Sequence, residues 1–278
     1  MITVTTLPDL RQALTRFPKP IGLVPTMGYL HEGHLSLLRT AKNECATVAV
    51  SIFVNPTQFG QNEDLSAYPR DLPHDLQLLE REAVDLVWTP VSAEIYPQNF
   101  QTWVDVEEIT KHLEGAQRPG HFRGVATVVA KLFNALQPQM AFFGQKDAQQ
   151  VAVVRQMVRD LNFPIEIVVC PTVRESDGLA MSSRNSYLNH QERQAAPILY
   201  KALNTAQTAF QSGERQANAI RQIMRDTIKK ESLATIQYVS CADPDTLLEI
   251  GGVIDGRVLL SMAVYIGKTR LIDNFLIG

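Results

Sequence analysis

Gly22-Leu-Val-Pro-Thr-Met-Gly28-Tyr-Leu-His31-Glu-Gly-His34 runs from an apolar segment through a glycine turn into the start of an amphipathic stretch. It reads as a strand, a tight turn and a helix N-terminus. Gly28 permits the turn, Gly33 lets a ligand approach the backbone, and His31 and His34, at i and i+3, share one helical face. A helix N-terminus presents unpaired N–H groups and the positive end of the dipole, so two imidazoles placed there face a phosphate chain as donors. Two other readings stand beside this one. The pair fits surface histidines at a loop, or part of a zinc site, but the His-Glu-x-x-His spacing and a third ligand at a suitable interval are missing. The chain contains neither GxGxxG nor GxxxxGK[ST], so bound phosphates would be held in another way.

Outward from this segment, short β-branched runs alternate with helical periodicity, the pattern of a parallel sheet wrapped by helices. Strands are expected at Ile21–Val24, Thr47–Val54, Asp85–Trp88, Met140–Phe143 and Ile165–Val169. Helices are expected at Leu35–Glu44, Asp75–Ala83, Val125–Leu136 and Ala148–Leu161, with Pro138 and Pro164 following the last two. After about Pro171 two charged amphipathic stretches, His190–Gln211 and Glu214–Lys230, precede strand-like Thr235–Cys241, Arg257–Tyr265 and Thr269–Phe275. The fold class is therefore α/β. A Rossmann-like parallel sheet flanked by helices occupies residues 1–175, and a smaller C-terminal α+β domain occupies 176–278.

Composition narrows the function classes. Lys and Arg number 26 against 29 Asp and Glu in 278 residues, so no strong basic field is available to collect nucleic acid or an anionic membrane. No apolar run approaches the length of a membrane span, and the N-terminus lacks the pattern of a secretory leader. Cys45, Cys170 and Cys241 lie far apart with no CxxC pair, which indicates neither a disulfide framework nor a thiolate zinc site. A soluble protein of the reducing cytoplasm is expected.

The string Val24–His34 resembles the signature of the pantoate–β-alanine ligase family, within the HxGH nucleotidyltransferase superfamily. Further strings match that family in order: Ser51-Ile-Phe-Val-Asn-Pro-Thr-Gln-Phe59, Tyr68-Pro-Arg70, Arg118-Pro-Gly-His-Phe-Arg-Gly124, Phe143-Gly-Gln-Lys-Asp-Ala-Gln-Gln150, Asp177-Gly-Leu-Ala-Met-Ser-Ser-Arg-Asn185 and Leu271-Ile-Asp-Asn274. The resemblance covers nearly the whole chain. It implies condensation of (R)-pantoate with β-alanine to give pantothenate, AMP and diphosphate through a pantoyl adenylate, and it implies a homodimer.

By the same resemblance His34, His31, Lys146 and Arg184 are the catalytic candidates, His34 as proton donor. Met27, Gly28, His31, Gly33, His34, Gly144, Lys146, Asp147, Val173, Met181, Ser182, Ser183 and Arg184 are expected around ATP. Gln58 and Gln150 are expected at pantoate, Gln58 also at β-alanine. These residue types suit the chemistry, because adenylation builds charge on phosphate and prepositioned donors stabilise it. A neutral amide also reads pantoate's hydroxyls without electrostatically fixing the attacking carboxylate. Asp147 either caps the following helix or holds the nucleotide. Gln58 and Gln150 have the alternative of satisfying loop backbone, and Asn55, before Pro56, is expected to shape its loop. Mg²⁺ is expected with ATP, held mainly by phosphate and water. Asp75 is the one protein candidate, because Asp71-Leu-Pro-His-Asp75 carries His74 where relatives have another acidic residue. The polar segment Gly60–Arg70 reads either as a flap over the cleft or as a plain surface loop, and Arg118, His121 and Arg123 as fold or cleft-mouth residues. Two competing functions remain: a superfamily enzyme that leaves the nucleotide on its product, and a nucleotide-binding module without catalysis.

Overall fold

The computed structural model describes residues 1–61 and 63–278. Among these, six strands form one parallel sheet: β1 (Ile2–Val4), β2 (Ile21–Thr26), β3 (Thr47–Ile52), β4 (Leu86–Trp88), β5 (Met140–Gly144) and β6 (Glu166–Cys170), in the order β1-β4-β3-β2-β5-β6. The helices between them are α1 (Leu7–Leu14), α2 (Glu32–Glu44), α3 (Leu72–Arg81), α4 (Ser92–Ile95), α5 (Leu113–Gln117), α6 (His121–Leu136) and α7 (Ala148–Asp160). Strand side chains alternate between two apolar layers, as the pleat requires. Leu23, Ala49, Leu86, Ala141 and Phe143 pack with α1, α6 and α7, while Val24, Val48, Val50, Val87 and Phe142 pack with α2 and α3. Helix α6 is apolar nearly all round and is correspondingly buried along its length.

The strand order positions the site. Strand β2 pairs with β3 on one side and with β5 on the other, so the chain reverses its direction of travel across the sheet at β2. Open α/β sheets bind ligands outside the carboxyl ends of their strands at such a switch. The loops leaving β2, β3, β5 and β6 all emerge there, and they carry His31, Gln58, Lys146 and Val173.

The smaller C-terminal unit has α8 (His190–Ala195), α9 (Ile198–Gln211) and α10 (Ala217–Ile228) ahead of an antiparallel sheet of β7 (Ala234–Ala242), β8 (Val258–Ile266) and β9 (Thr269–Ile277), in the order β7-β8-β9. Leu199, Leu203, Ile220 and Met224 pack against Leu260, Met262 and Val264. The stretch expected as His190–Gln211 is divided into α8 and α9 at Pro197, which has no N–H to continue the helical ladder. Strand β1 and helix α1 are additions to the expected elements. Strand β1 adds an edge to the sheet beside β4, and Thr6 caps α1 by accepting the Asp9 N–H at 3.3 Å. Among the described residues no helix is long and apolar enough to cross a membrane.

Candidate active site

The turn after β2 is held from beneath. Gly28 has φ +82°, and a Cβ there would lie 3.0 Å from Asp75 Oδ2 and 3.1 Å from Ile52, so only glycine fits on both counts. The Asp75 carboxylate accepts the Tyr29 N–H at 2.8 Å and the Leu30 N–H at 2.7 Å. Burial holds its pKa above the ordinary carboxylate value despite those two donors. Asp75, the expected metal candidate, is buried, and both its carboxylate oxygens are engaged by backbone, so in this structure it supports the turn. Gly28, expected around ATP, likewise shapes the turn without lining the cleft. Among the described residues no three His, Cys, Asp or Glu side chains converge to hold a metal ion.

The two histidines form a capping box. His31 is the N-cap of α2 and its Nδ1 accepts the Gly33 N–H at 3.1 Å, while His34 Nδ1 accepts the His31 N–H at 3.3 Å. Because Nδ1 is the acceptor in each ring, the proton of each neutral imidazole resides on Nε2. The ring centroids are 4.1 Å apart. Burial, reinforced by the Lys146 ammonium, lowers His31 to about 4. Burial, the neighbouring His31 and Lys146 lower His34 to about 3. The pair therefore stands as two neutral Nε2–H hydrogen-bond donors at neutral pH. In this form His34, expected as the proton donor, presents its Nε2–H to the cleft as a hydrogen-bond donor. Gly33 lies directly under the His31 ring, where a Cβ would come within 2.9 Å of it.

Opposite them, the 3-10 turn Gln145–Asp147 carries Lys146 between β5 and α7. Asp147 makes no capping hydrogen bond to α7 and lines the cleft, so the capping alternative falls away. The adjacent glutamines divide their roles. Gln149 is buried, accepts the Glu114 N–H at 2.8 Å and donates to the carbonyls of Ile109 and His112 at 2.9 Å each. Gln150 lines the cleft, and its amide has no protein partner among the described residues.

Gln58 sits on the 3-10 turn Pro56–Gln58 after β3. Its side chain contacts Met27 Sδ at 3.1 Å, and its Oε1 accepts from Asn55 Nδ2 at 3.1 Å. Asn55 is spent on the loop: it also donates to Gly124 O at 3.1 Å and accepts from Tyr96 Oη at 2.8 Å. His121 Nδ1 bonds Gln58 O at 2.7 Å, and Arg118 Nη1 bonds His121 Nε2 at 3.1 Å. Arg118 and His121 thus fix the Gln58 turn. Arg123, by contrast, lies 4.9 Å over the Trp103 ring, away from the cleft.

The loop Met181–Arg184 closes the cleft on the C-terminal side. The Met181 N–H bonds Val173 O at 3.0 Å, Ser182 Oγ accepts the Arg184 N–H at 3.3 Å, and Ser183 Oγ reaches Tyr29 O at 3.4 Å. Arg184 forms a forked pair with Asp64, Nε to Oδ2 at 3.0 Å and Nη2 to Oδ1 at 2.8 Å. Arg118 forms a second forked pair with Glu63, at 2.7 and 2.6 Å. Both carboxylates come from Gly60–Arg70, of which Asn62 lies outside the described residues. Two ion pairs and the buried Tyr68, whose ring packs edge-on to Phe59 at 5.8 Å, anchor that segment. Sequence reasoning missed Glu63 and Asp64, since a lone carboxylate in a polar loop does not reveal a guanidinium 55 or 120 residues away.

Together these loops enclose a cleft of about 240 Å³ into which Met27, His31, Gly33, His34, Gln58, Gly144, Lys146, Asp147, Gln150, Val173, Met181, Ser182, Ser183 and Arg184 all converge. It offers donors on two sides and two amides at one end.

Comparison with known proteins identifies the family. The pantoate–β-alanine ligase family model matches residues 2–276. A pantothenate synthetase of Herpetosiphon aurantiacus is 59% identical over 274 residues, covering 99% of each chain. The crystal structure of pantothenate synthetase from Thermus thermophilus superposes with a TM-score of 0.94 at 46% identity, covering 99% of each chain. A pantoate–β-alanine ligase from Francisella tularensis, solved with a β-γ ATP ligand and β-alanine, superposes with a TM-score of 0.82 at 37% identity, covering 99% of this chain and 97% of that one. The chain belongs to the pantoate–β-alanine ligase family.

Proposed function

We propose that this chain is an ATP-dependent, AMP-forming ligase that joins (R)-pantoate to β-alanine. The observation that carries the reading is the convergence, at the β2/β5 switch, of two neutral imidazole donors, the Lys146 ammonium and two amides in one cleft. In the first step a pantoate carboxylate oxygen attacks the α-phosphorus and the bond to the diphosphate oxygen breaks. Negative charge moves outward along the phosphates, where His31 and His34 Nε2–H, Lys146, Ser182, Ser183 and Arg184 supply donors. Met27, Gly33, Gly144, Asp147, Val173 and Met181 shape the nucleotide's bed. In the second step the β-alanine amine attacks the acyl carbon of the mixed anhydride, the carbon–oxygen bond to AMP breaks, and the proton lost by the amine passes to solvent as AMP departs. Gln58 and Gln150 hold the pantoyl group through both steps, so the acyl carbon is presented in place when the amine arrives.

A covalent enzyme intermediate has no support in the geometry. Ser182 Oγ accepts from the Arg184 N–H, Ser183 Oγ donates to a carbonyl, and neither has a neighbouring base. Mg²⁺ would travel with ATP on phosphate oxygens and water, neutralising charge there. We further propose the division into units 1–175 and 176–278, a homodimer and a cytoplasmic setting, all carried over from the sequence reading.

Heavy-oxygen-labelled pantoate carboxylate, turned over with ATP and β-alanine, is expected to leave label in AMP. Unlabelled AMP would show that another oxygen attacked phosphorus. ATP–diphosphate exchange that requires pantoate but not β-alanine separates this reading from an enzyme that retains the nucleotide on its product.

A further inference from the structure

Asn274, in the Leu271–Asn274 tail, lies 128 residues from Lys146, yet the tail returns to the turn that carries it. On β9, side chains alternate between the sheet's two faces, so Arg270, Ile272 and Asn274 share one face and Leu271, Asp273 and Phe275 the other. The first face meets the parallel-sheet unit: Arg270 forms a forked pair with Glu114 at 2.7 Å for both contacts. Asn274, 4% exposed, donates through Nδ2 to Lys146 O at 2.8 Å and to Gln145 O at 3.1 Å, and its Oδ1 accepts from Gln145 Nε2 at 3.0 Å. Every hydrogen-bonding position of the amide nitrogen, and one of the oxygen, is thus spent on the turn that carries Lys146.

An apolar or β-branched side chain would suit a buried strand position better, because a buried amide costs stability wherever its partners are missing. The partners here are the two residues that set where Lys146 begins. Lys146 Nζ itself has no hydrogen-bond partner among the described residues, so no counter-ion steers it and its placement rests on the backbone turn. The neighbouring Asp273 holds a different segment. Its carboxylate takes Arg174 at 2.7 and 2.8 Å and the Asn274 N–H at 2.8 Å, and Arg174 follows Val173.

We propose that Asn274 is a positioning residue for Lys146: the C-terminal sheet fixes the 145–147 turn so that the ammonium is preset for the transferred phosphate. The inference rests on the reading above that Lys146 meets phosphate. Displacing such a group by about an ångström costs up to ~10²-fold in rate, whereas ground-state binding through the remaining donors survives.

The test is pantoate-dependent ATP–diphosphate exchange without β-alanine, on the full chain and on Asn274→Ala, Asn274→Asp, Lys146→Ala and the Lys146→Ala/Asn274→Ala double variant, with ATP affinity and thermal melts measured for each. The aspartate variant keeps the shape but turns an acceptor toward two carbonyls, and it stands in if the alanine variant does not fold. Expected are a ~10–100-fold loss of exchange at saturating ATP, an ATP Kd within about threefold of the parent, and a double variant no slower than Lys146→Ala alone. Exchange within twofold of the parent, or a loss that multiplies with that of Lys146→Ala, would overturn the positioning role. A parent chain that shows no exchange would instead overturn the ligase reading on which it rests.

Discussion

The Met27–His34 corner and the Met181–Arg184 loop face the same cleft but are built differently. In the corner, backbone N–H groups hold both imidazoles, Asp75 holds the backbone, and the Nε2–H donors are already aimed before any ligand arrives. In the loop, Arg184 is engaged with Asp64, Ser182 Oγ with the Arg184 N–H and Ser183 Oγ with Tyr29 O. On the proposed reading, a phosphate chain would meet free donors on one side and displace a carboxylate on the other. Donors fixed in advance contribute chiefly to the transition state, because no reorganisation accompanies the reaction. Donors recruited by exchange contribute chiefly to binding and closure, and an ion pair exchanged near solvent is sensitive to salt.

The largest effect should therefore fall on the fixed side. His34→Ala and Lys146→Ala are each expected to lose ~10²–10³ in turnover at saturating substrates, the order seen when one preorganised donor is removed. His34→Ala also removes the acceptor for the His31 N–H, a cap contact whose loss costs ~1 kcal/mol and leaves the chain folded. Turnover within threefold of the parent in both variants, with native melts, would end the assignment.

How far this contrast was legible in sequence depends on range. Strand periodicity, Gly28 and the two histidines are local signals, and they led to the sheet, the switch-point loop and the cleft. The capping box was not legible, because histidine is an unusual cap and its acceptor role appears only once both Nδ1 atoms meet backbone N–H groups. The role of Asp75 in the turn was not legible either: the resemblance named it as a metal candidate, and its partners, Tyr29 and Leu30, are 46 and 45 residues away. The Arg184–Asp64 pair and the Asn274–Lys146 contact span 120 and 128 residues and leave no trace in periodicity. Gln149 and Gln150 are alike by residue type; the resemblance singled out Gln150, and the packing of α7 against the 109–114 segment gives the physical difference.

The exchange side gives a smaller effect with opposite signs in two variants. Arg184→Ala is expected to weaken diphosphate by ~10–100-fold, since a hydrogen bond to a charged group contributes about 1.5–3 kcal/mol. Asp64→Asn removes the competitor and is expected to tighten diphosphate by up to about fivefold, because a partly exposed pair is worth only ~0–1 kcal/mol. Titration calorimetry with diphosphate measures both. If Asp64→Asn weakened binding, the pair would serve closure and the two walls would not differ as argued.

The adjacent amides sharpen the comparison within one helix. Gln149→Ala strips partners from a buried backbone N–H and two carbonyls and should cost about 1–3 kcal/mol of stability, with pantoate affinity nearly unchanged. Gln150→Ala should do the reverse, weakening pantoate about tenfold with an unaltered melt. Loss of ATP affinity with pantoate binding intact would move Gln150 out of the acceptor pocket.

A further effect concerns pH, and it distinguishes the two walls by where each titrates. His31 and His34 are depressed by burial to about 4 and about 3, below the ordinary 6.5 of an unfolded chain. Between about 6.5 and 4 the unfolded state therefore binds protons that the folded state refuses. The stability these rings contribute is present above pH 6.5 and is lost as pH falls through that window. His121, lowered to about 4 by burial and Arg118, adds to the same loss. On the other wall, burial raises Glu63 and Asp64 but Arg118 and Arg184 outweigh it, leaving both below the ordinary carboxylate values of 4.5 and 3.8. Their contribution is intact above those values and is lost only below them. Denaturant unfolding at pH 7, 6 and 5 thus reads the histidine wall alone of the two, with a slope of at most ~1.4 kcal/mol per pH unit for each ring. His31→Gln and His34→Gln cannot titrate and should each flatten that slope, whereas Asp64→Asn should leave it unchanged. Parallel slopes in all of these chains would show that the imidazoles are not held neutral, and the fixed wall would lose its distinction from the exchanging one.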